Sequence, residues 1–293
     1  MRTLHFPAAA GSSRTRAVAA LAWLPPAWLV VVRFALAAAV LLAAVDRTAL
    51  RAAFRAPVLG WGALGLGGSV LVQNAGIGMT SVTHASLLIG CGPVLVAVIA
   101  ALWHRDVARP VAWAGFAFSL GGVAVVAGGQ GGGASGVGDV VVLMSAMLAA
   151  TLTVAQGRLL KDQDPAALTA VQFLGAAIGA LPVALITEGP PHAPAAGGAG
   201  MLAVLAVLGL TAIGTLAPFT LFAYGQHKVS TEVAGAFLNL EPLVGALVGV
   251  LAFGDPAGPR LALGGVAILA GIAMSSLPAL RAADRRHALA AAG

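Results

Sequence analysis

Nine continuous apolar runs pattern the chain, at about 27–45, 57–79, 84–103, 110–128, 138–157, 165–187, 201–225, 231–253 and 260–280. Each is about 20 residues long and unbroken rather than alternating, the pattern of a helix that crosses a hydrocarbon core about 30 Å thick. A membrane barrel would need short strands alternating apolar and polar positions. Two long breaks interrupt the runs. Residues 128–138 (GGQGGGASGVG) read as a flexible glycine-rich linker. Residues 188–200 (EGPPHAPAAGGAG) read as a longer Pro/Gly loop. Residues 1–25 form a weakly apolar, arginine-containing tail without the apolar centre of a signal peptide.

The pattern repeats. Shifting residues 81–123 by 149 superposes them on 230–272 without a gap. Ser81, Ala85, Pro93, Ala97, Leu102, Asp106, Ala108, Pro110, Gly115, Leu120 and Gly122 each meet an identical residue, 11 of 43 positions. Composition bias alone does not account for the pairing of two prolines taken as intrahelical (Pro93 and Pro242) and two loop acids (Asp106 and Asp255). The earlier helices repeat with an offset of 139, which brings PAWLVVVRF from Pro26 onto PAALTAVQF from Pro165 and sets Arg33 opposite Gln172. The ten-residue difference falls in the longer loop after residue 187. Internal duplication is the first thing to establish in a sequence, because it fixes the architecture.

Composition agrees. The chain of 293 residues is 59% hydrophobic and 9% charged, with mean hydropathy +0.96; a soluble domain is nearer 45–50% apolar and about 25% charged. The net charge of +6 is carried by cations in short loops, with no basic stripe or aromatic platform, so nucleic acid is excluded as a partner. Cys91 is the single cysteine and forms no internal disulfide.

By the 139 offset, the partner of the span at 138–157 would fall at about −1 to 18, where only the tail stands. The expected fold class is therefore all-α integral membrane, an inverted five-plus-five transmembrane helix repeat with its first helix missing and nine spans visible. A late start of the chain, or loss of that helix, accounts for this. With the missing helix counted first, one face receives Arg47, Arg51, Arg55, Arg105, Arg109, Arg158, Lys161, Lys228, Arg281, Arg285 and Arg286, and the other only Arg260, the tail aside. That asymmetry marks the first face as cytoplasmic. Five helices per half invert the halves, an arrangement used by transporters. The expected division is a polar tail (1–25), a first repeat (26–128), a linker (129–137), a second repeat (138–280) and a cytoplasmic basic tail (281–293).

Pro26 with Arg33-Phe34, the small residues approaching Pro93, Gly138-Asp139, Glu241-Pro242 and Asp255 occur in an order that resembles the drug/metabolite transporter superfamily, specifically EamA-type permeases. The resemblance covers residues 25–280 and implies two five-helix repeats around a central cavity.

Glu241 is the sharpest candidate for chemistry. An acid at mid-span costs about 2.5–3.5 kcal/mol on insertion scales and normally faces a polar cavity or a partner. It is expected to bind a substrate ammonium or carry a coupling proton; its structural alternative is a tie between helices. Asn74, Asn239 and Tyr224 are candidate substrate-binding residues with it, the amides because they are hard to leave unpaired in hydrocarbon. Arg33, whose repeat partner is neutral, reads as a structural membrane charge. Asp106, Asp139 and Asp255 read as loop and helix-terminus residues. The glycines of GLGLGG near residues 60–68 lack the Gly-Lys-Ser/Thr of a phosphate loop and read as close helix contacts. No metal site and no cofactor is expected.

The function expected is secondary transport, as an exporter of a small metabolite, amino-acid-like or amphiphilic compound, by alternating access. With no ATP-binding motif, transport is proton-coupled or facilitative. The partners are a small-molecule substrate, the lipid bilayer and protons, with a homodimer left open; the location is the cytoplasmic (inner) membrane. The alternative is a non-transporting scaffold or a remnant of such a carrier. An enzyme would need a paired acid and base or a metal constellation, and none stands out.

Overall fold

The computed structural model describes residues 23–80, 85, 88–105, 108–127, 136–191, 194, 198–238, 240, 241, 243, 244, 247, 251 and 258–291. These are helices and their connections; no strand occurs among the described residues. In chain order they are α1 (Pro26–Ala44), the short α2 (Arg47–Ala53), and α3, built from Ala56–Trp61, a π-helical turn Gly62–Gly68 and Ser69–Ile77. There follow α4 (Gly92–His104), α5 (Pro110–Ala127), α6 (Gly136–Leu159) and α7 (Pro165–Glu188). Helix α8 joins Gly198–Thr211, a second π-helical turn Ala212–Leu216 and Ala217–Lys228; α9 (Thr231–Phe237) and α10 (Pro259–Ala291) complete the set. Among the described residues, six helices are long and apolar enough to cross a membrane, and two shorter apolar ones accompany them.

Proline opens most of them. Pro26, Pro57, Pro93, Pro110, Pro165 and Pro259 stand in the first two helical positions, where the missing N–H breaks no hydrogen bond. Pro93 is thus a helix-opening residue rather than an intrahelical one: Cys91 turns the chain and α4 starts behind it. Its repeat partner Pro242 lies outside the described residues, as do Asp106, Asp255 and the tail from 1 to 22. Past α9, the described residues Leu240, Glu241, Leu243, Val244, Leu247 and Leu251 are helical.

Residues related by the repeat meet each other. Phe34 and Phe173, 139 apart, are both fully buried and stack with ring centroids 5.7 Å apart where α1 crosses α7. Phe219 of α8 closes the triad at 6.1 Å from each. At the other crossing, between α5 and α10, Gly115 faces the Gly271 carbonyl and Gly122 faces the Gly264 carbonyl. A Cβ on any of the four would come within 2.5–2.7 Å of backbone oxygen. Since Gly115 is equivalent to Gly264 and Gly122 to Gly271, each contact is the image of the other, the signature of a two-fold relation. The 149 offset also runs back through α3: Val58-Leu59-Gly60 falls on Val207-Leu208-Gly209, and the first π-helical turn falls on the second.

Candidate functional site

The middle of the molecule is set by α6 and the helix ends packed on it. Gly76 of α3 lies on Val142, and Gly138 on Met79, so α3 ends where α6 begins and runs against it. Thr80 donates its hydroxyl to Asp139 at 2.5 Å there, which places Asp139 in the first turn of α6 beside the positive end of the helix. At the opposite end, Gln226 donates to the Thr153 carbonyl at 2.5 Å and His227 Nδ1 lies 3.1 Å from the Leu160 carbonyl. Gly157 there lies against the Thr231 hydroxyl. Helix α8 therefore ends beside the end of α6, parallel to it, and α9 returns from that point.

The contact of Gly76 with Val142 fixes the depth of one candidate residue. At a rise of about 1.5 Å per residue, Asn74 stands about level with Met144, near the middle of α6. Tyr224 lies in the last turns of α8, and Glu241 follows α9 beyond the turn at Leu238. Asn74 is half-buried, Tyr224 is 42% exposed, and Glu241 is exposed, with no hydrogen bond or ion pair to its carboxylate among the described residues. Asn239 lies outside the described residues. Among the described residues no three His, Cys, Asp or Glu side chains gather as metal ligands do.

Arg33 sits close to the centre of α1 and reaches across to α8. Its Nε donates to the Thr215 hydroxyl at 2.9 Å and its Nη2 to the Gly214 carbonyl at 3.2 Å. The cause is Pro218. It has no N–H to give the carbonyl four residues back, which is Gly214, and its ring crowds that position. A lone carbonyl in hydrocarbon costs several kcal/mol, so the helix widens into a π turn and a side chain from outside supplies the donor. Sequence reasoning reached Arg33 as a structural charge but missed its partner. The readable signal was a proline inside the run 201–225.

A second residue missed by sequence reasoning is Glu188. Its two carboxylate oxygens accept from the Ala27 and Trp28 N–H groups at 2.9 and 3.0 Å, and the Trp28 indole donates to the Gly189 carbonyl at 2.7 Å. An anion thus closes the open N-terminus of α1, tying the end of α7 to the start of its repeat partner. In the interior, Ser145, Thr151 and Thr153 return their hydroxyls to carbonyls of their own helix.

Long apolar helices whose duplicated halves meet about two-fold crossings define a multi-pass helical membrane protein. The model of the EamA-like transporter family matches residues 8–128 and again 136–277. The chain belongs to that family, a branch of the drug/metabolite transporter superfamily. A transporter of Archaeoglobus fulgidus described as uncharacterized is 38% identical over 65 residues, 22% of this chain. The match spans only 24% of that relative's length. A protein of known crystal structure shares the fold with a TM-score of 0.74 over 92% of this chain and 93% of its own, at 24% identity.

Proposed function

We propose that this protein is a secondary carrier that exports a small metabolite, amino-acid-like or amphiphilic compound across the cytoplasmic membrane by alternating access between its halves, 26–128 and 138–280. The observation that carries the reading is the reciprocal contact of Gly115 with Gly271 and of Gly122 with Gly264. Two halves related in this way can exchange conformations, so that a site between them faces each side in turn. In this reading the substrate site takes in Asn74, Tyr224 and Glu241, with Asn239 two residues before Glu241 in sequence. Glu241 is the coupling group: an acid within an apolar run, with no partner among the described residues, takes up a proton or a substrate ammonium.

The test is flux in proteoliposomes with an imposed proton gradient, using a panel of radiolabelled amino acids and fluorescent amphiphiles. Wild-type protein should accumulate at least one of them against its gradient. Glu241→Gln should abolish gradient-driven accumulation while leaving the unfolding midpoint unchanged. Undiminished flux in that variant removes the coupling role, and silence of the wild type across the panel favours the scaffold reading.

A further inference from the structure

The connection between α1 and α3 does more than turn the chain. Both flanking helices are membrane-long, so α2 lies at the level of the lipid headgroups. One side of α2 is fixed to the protein. Ala53 is buried, and Ala49 and Leu50 pack with it against Leu168 and Val171 of α7. Asp46 starts the helix by accepting from the Thr48 and Ala49 N–H groups at 2.7 and 3.3 Å.

The other side carries Arg47 and Arg51, one turn apart and both exposed. Arg55 follows, also exposed, with its Nε bound back to the Ala52 carbonyl at 2.8 Å so that the remaining guanidinium nitrogens face outward. Phe54, 53% exposed, stands between them. Among the described residues no carboxylate pairs with these three arginines. Asp46 is occupied by backbone N–H groups, and so is Asp164 on the turn before α7, which accepts from Ala167 at 2.8 Å.

We propose that Arg47, Arg51 and Arg55 form a binding site for the phosphate headgroups of anionic phospholipid in the adjoining leaflet. Guanidinium presents a planar pair of donors that matches phosphate oxygens two at a time. A rigid helix with cations one turn apart holds those forks ready at headgroup depth, and an aromatic ring beside them suits the boundary between headgroup and acyl chain. The bound lipid would brace α2 against α7, and so act on the crossing of α7 with α1.

The experiment uses the full chain in nanodiscs of equimolar phosphatidylglycerol and phosphatidylcholine, followed by native mass spectrometry of the lipid retained on the protein. Retained phosphatidylglycerol should exceed phosphatidylcholine. The Arg51→Gln variant, which leaves two arginines to keep the helix on its side of the membrane, should lower that ratio about fivefold. The R47Q/R51Q/R55Q variant should abolish it, while R47K/R51K/R55K, which keeps the charge and the topology but loses the planar fork, should retain only part of it. Inorganic phosphate in excess should leave the retained lipid in place. A wild type without preference, an R51Q ratio equal to wild type, or displacement by inorganic phosphate would each overturn the proposal, the last in favour of a free-anion site.

Discussion

The same helix crossing occurs twice in this molecule and is built in two ways. In one, α7 lies close on α3 and its π-helical turn through small residues. Gly62 faces the backbone of Gln172, Gly67 faces Ala176, and Gly175 and Gly179 face Leu59 and Ala63 in return. In the other, α1 meets the π-helical turn of α8. The positions equivalent to Gly175 and Gly179 are Leu36 and Val40, and those equivalent to Gly62 and Gly67 are Thr211 and Leu216. These positions carry side chains where the first crossing has glycines, and Arg33 links the two helices with two hydrogen bonds. Gln172, the repeat partner of Arg33, is 2% exposed and its amide nitrogen has no hydrogen-bond partner among the described residues. One crossing is a packed joint, the other a bridged one.

In hydrocarbon there is little hydrophobic drive between helices, so close backbone approach through small residues supplies much of the association energy. The packed joint should therefore be the stiffer of the two and the more sensitive to volume. Gly62→Ala places a methyl group against the Gln172 backbone, where no flexible side chain can yield. It should destabilise the protein by about 1–3 kcal/mol, the largest effect foreseen here. Gly60→Ala, two residues away with open space around it, should be neutral or stabilise by a few tenths of a kcal/mol through helix propensity. Thermal unfolding in detergent compares them. Equal effects of the two substitutions would mean that the close approach of Gly62 to the Gln172 backbone does not hold this joint.

Much of this architecture was legible in the sequence, because helix length and repeat offset are set by composition and spacing. Six of the apolar runs gave helices close to their expected bounds; the runs 84–103 and 231–253 start or break differently, with helices at Gly92–His104 and Thr231–Phe237, and the last helix extends to Ala291. Gly115 and Gly122, seen there only as repeat identities, proved to be the reciprocal contacts. The π-helical turns were not foreseen. They follow from an unpaired carbonyl at Gly214 and from glycines that tolerate a wider turn, and apolar periodicity is blind to both. The candidate site was legible in kind more than in arrangement. Asn74 comes level with the middle of α6 only because α3 runs against α6, a pairing that no residue pattern announces. The caps on α1 and α2 were missed because Glu188, the last residue of α7, falls in the stretch read as a Pro/Gly loop and Asp46 in the break after the first run, where a carboxylate looks the same whether it binds backbone or water.

The bridged joint offers a sharper test, since its explanation names both the fault and the repair. If Arg33 serves chiefly to satisfy the carbonyl that Pro218 leaves open, the two residues must be energetically coupled. Arg33→Met should cost about 1–2 kcal/mol, the range of a hydrogen bond from a charged donor offset by removal of a mid-membrane charge. Pro218→Ala restores the missing N–H, so in that background the same substitution should cost less than half as much. A double-mutant cycle on unfolding free energies reads the difference directly. Additive effects would mean that Arg33 answers to something other than Pro218.

The smallest effect concerns the support of the packed joint from the membrane surface. Helix α2 leans on α7 through Leu50 and Ala53, and its first turn is held by the Asp46 carboxylate. The backbone N–H groups of Thr48 and Ala49 favour the ionised form and hold this carboxyl below the usual aspartate range. A carboxyl depressed in the folded state contributes stability above its unfolded pKa, about 3.9, and loses it as pH falls through the lower folded value. Wild type should therefore exceed Asp46→Ala in unfolding midpoint at pH 7, with the gap closing as the pH is taken below 4. Asp46→Asn caps through an amide that does not titrate, so it should match wild type at pH 7 and surpass it in acid. A gap between wild type and Asp46→Ala that persists unchanged at low pH would show that the cap acts through packing of the side chain. The charge at the head of α2 would then be irrelevant to the joint it supports.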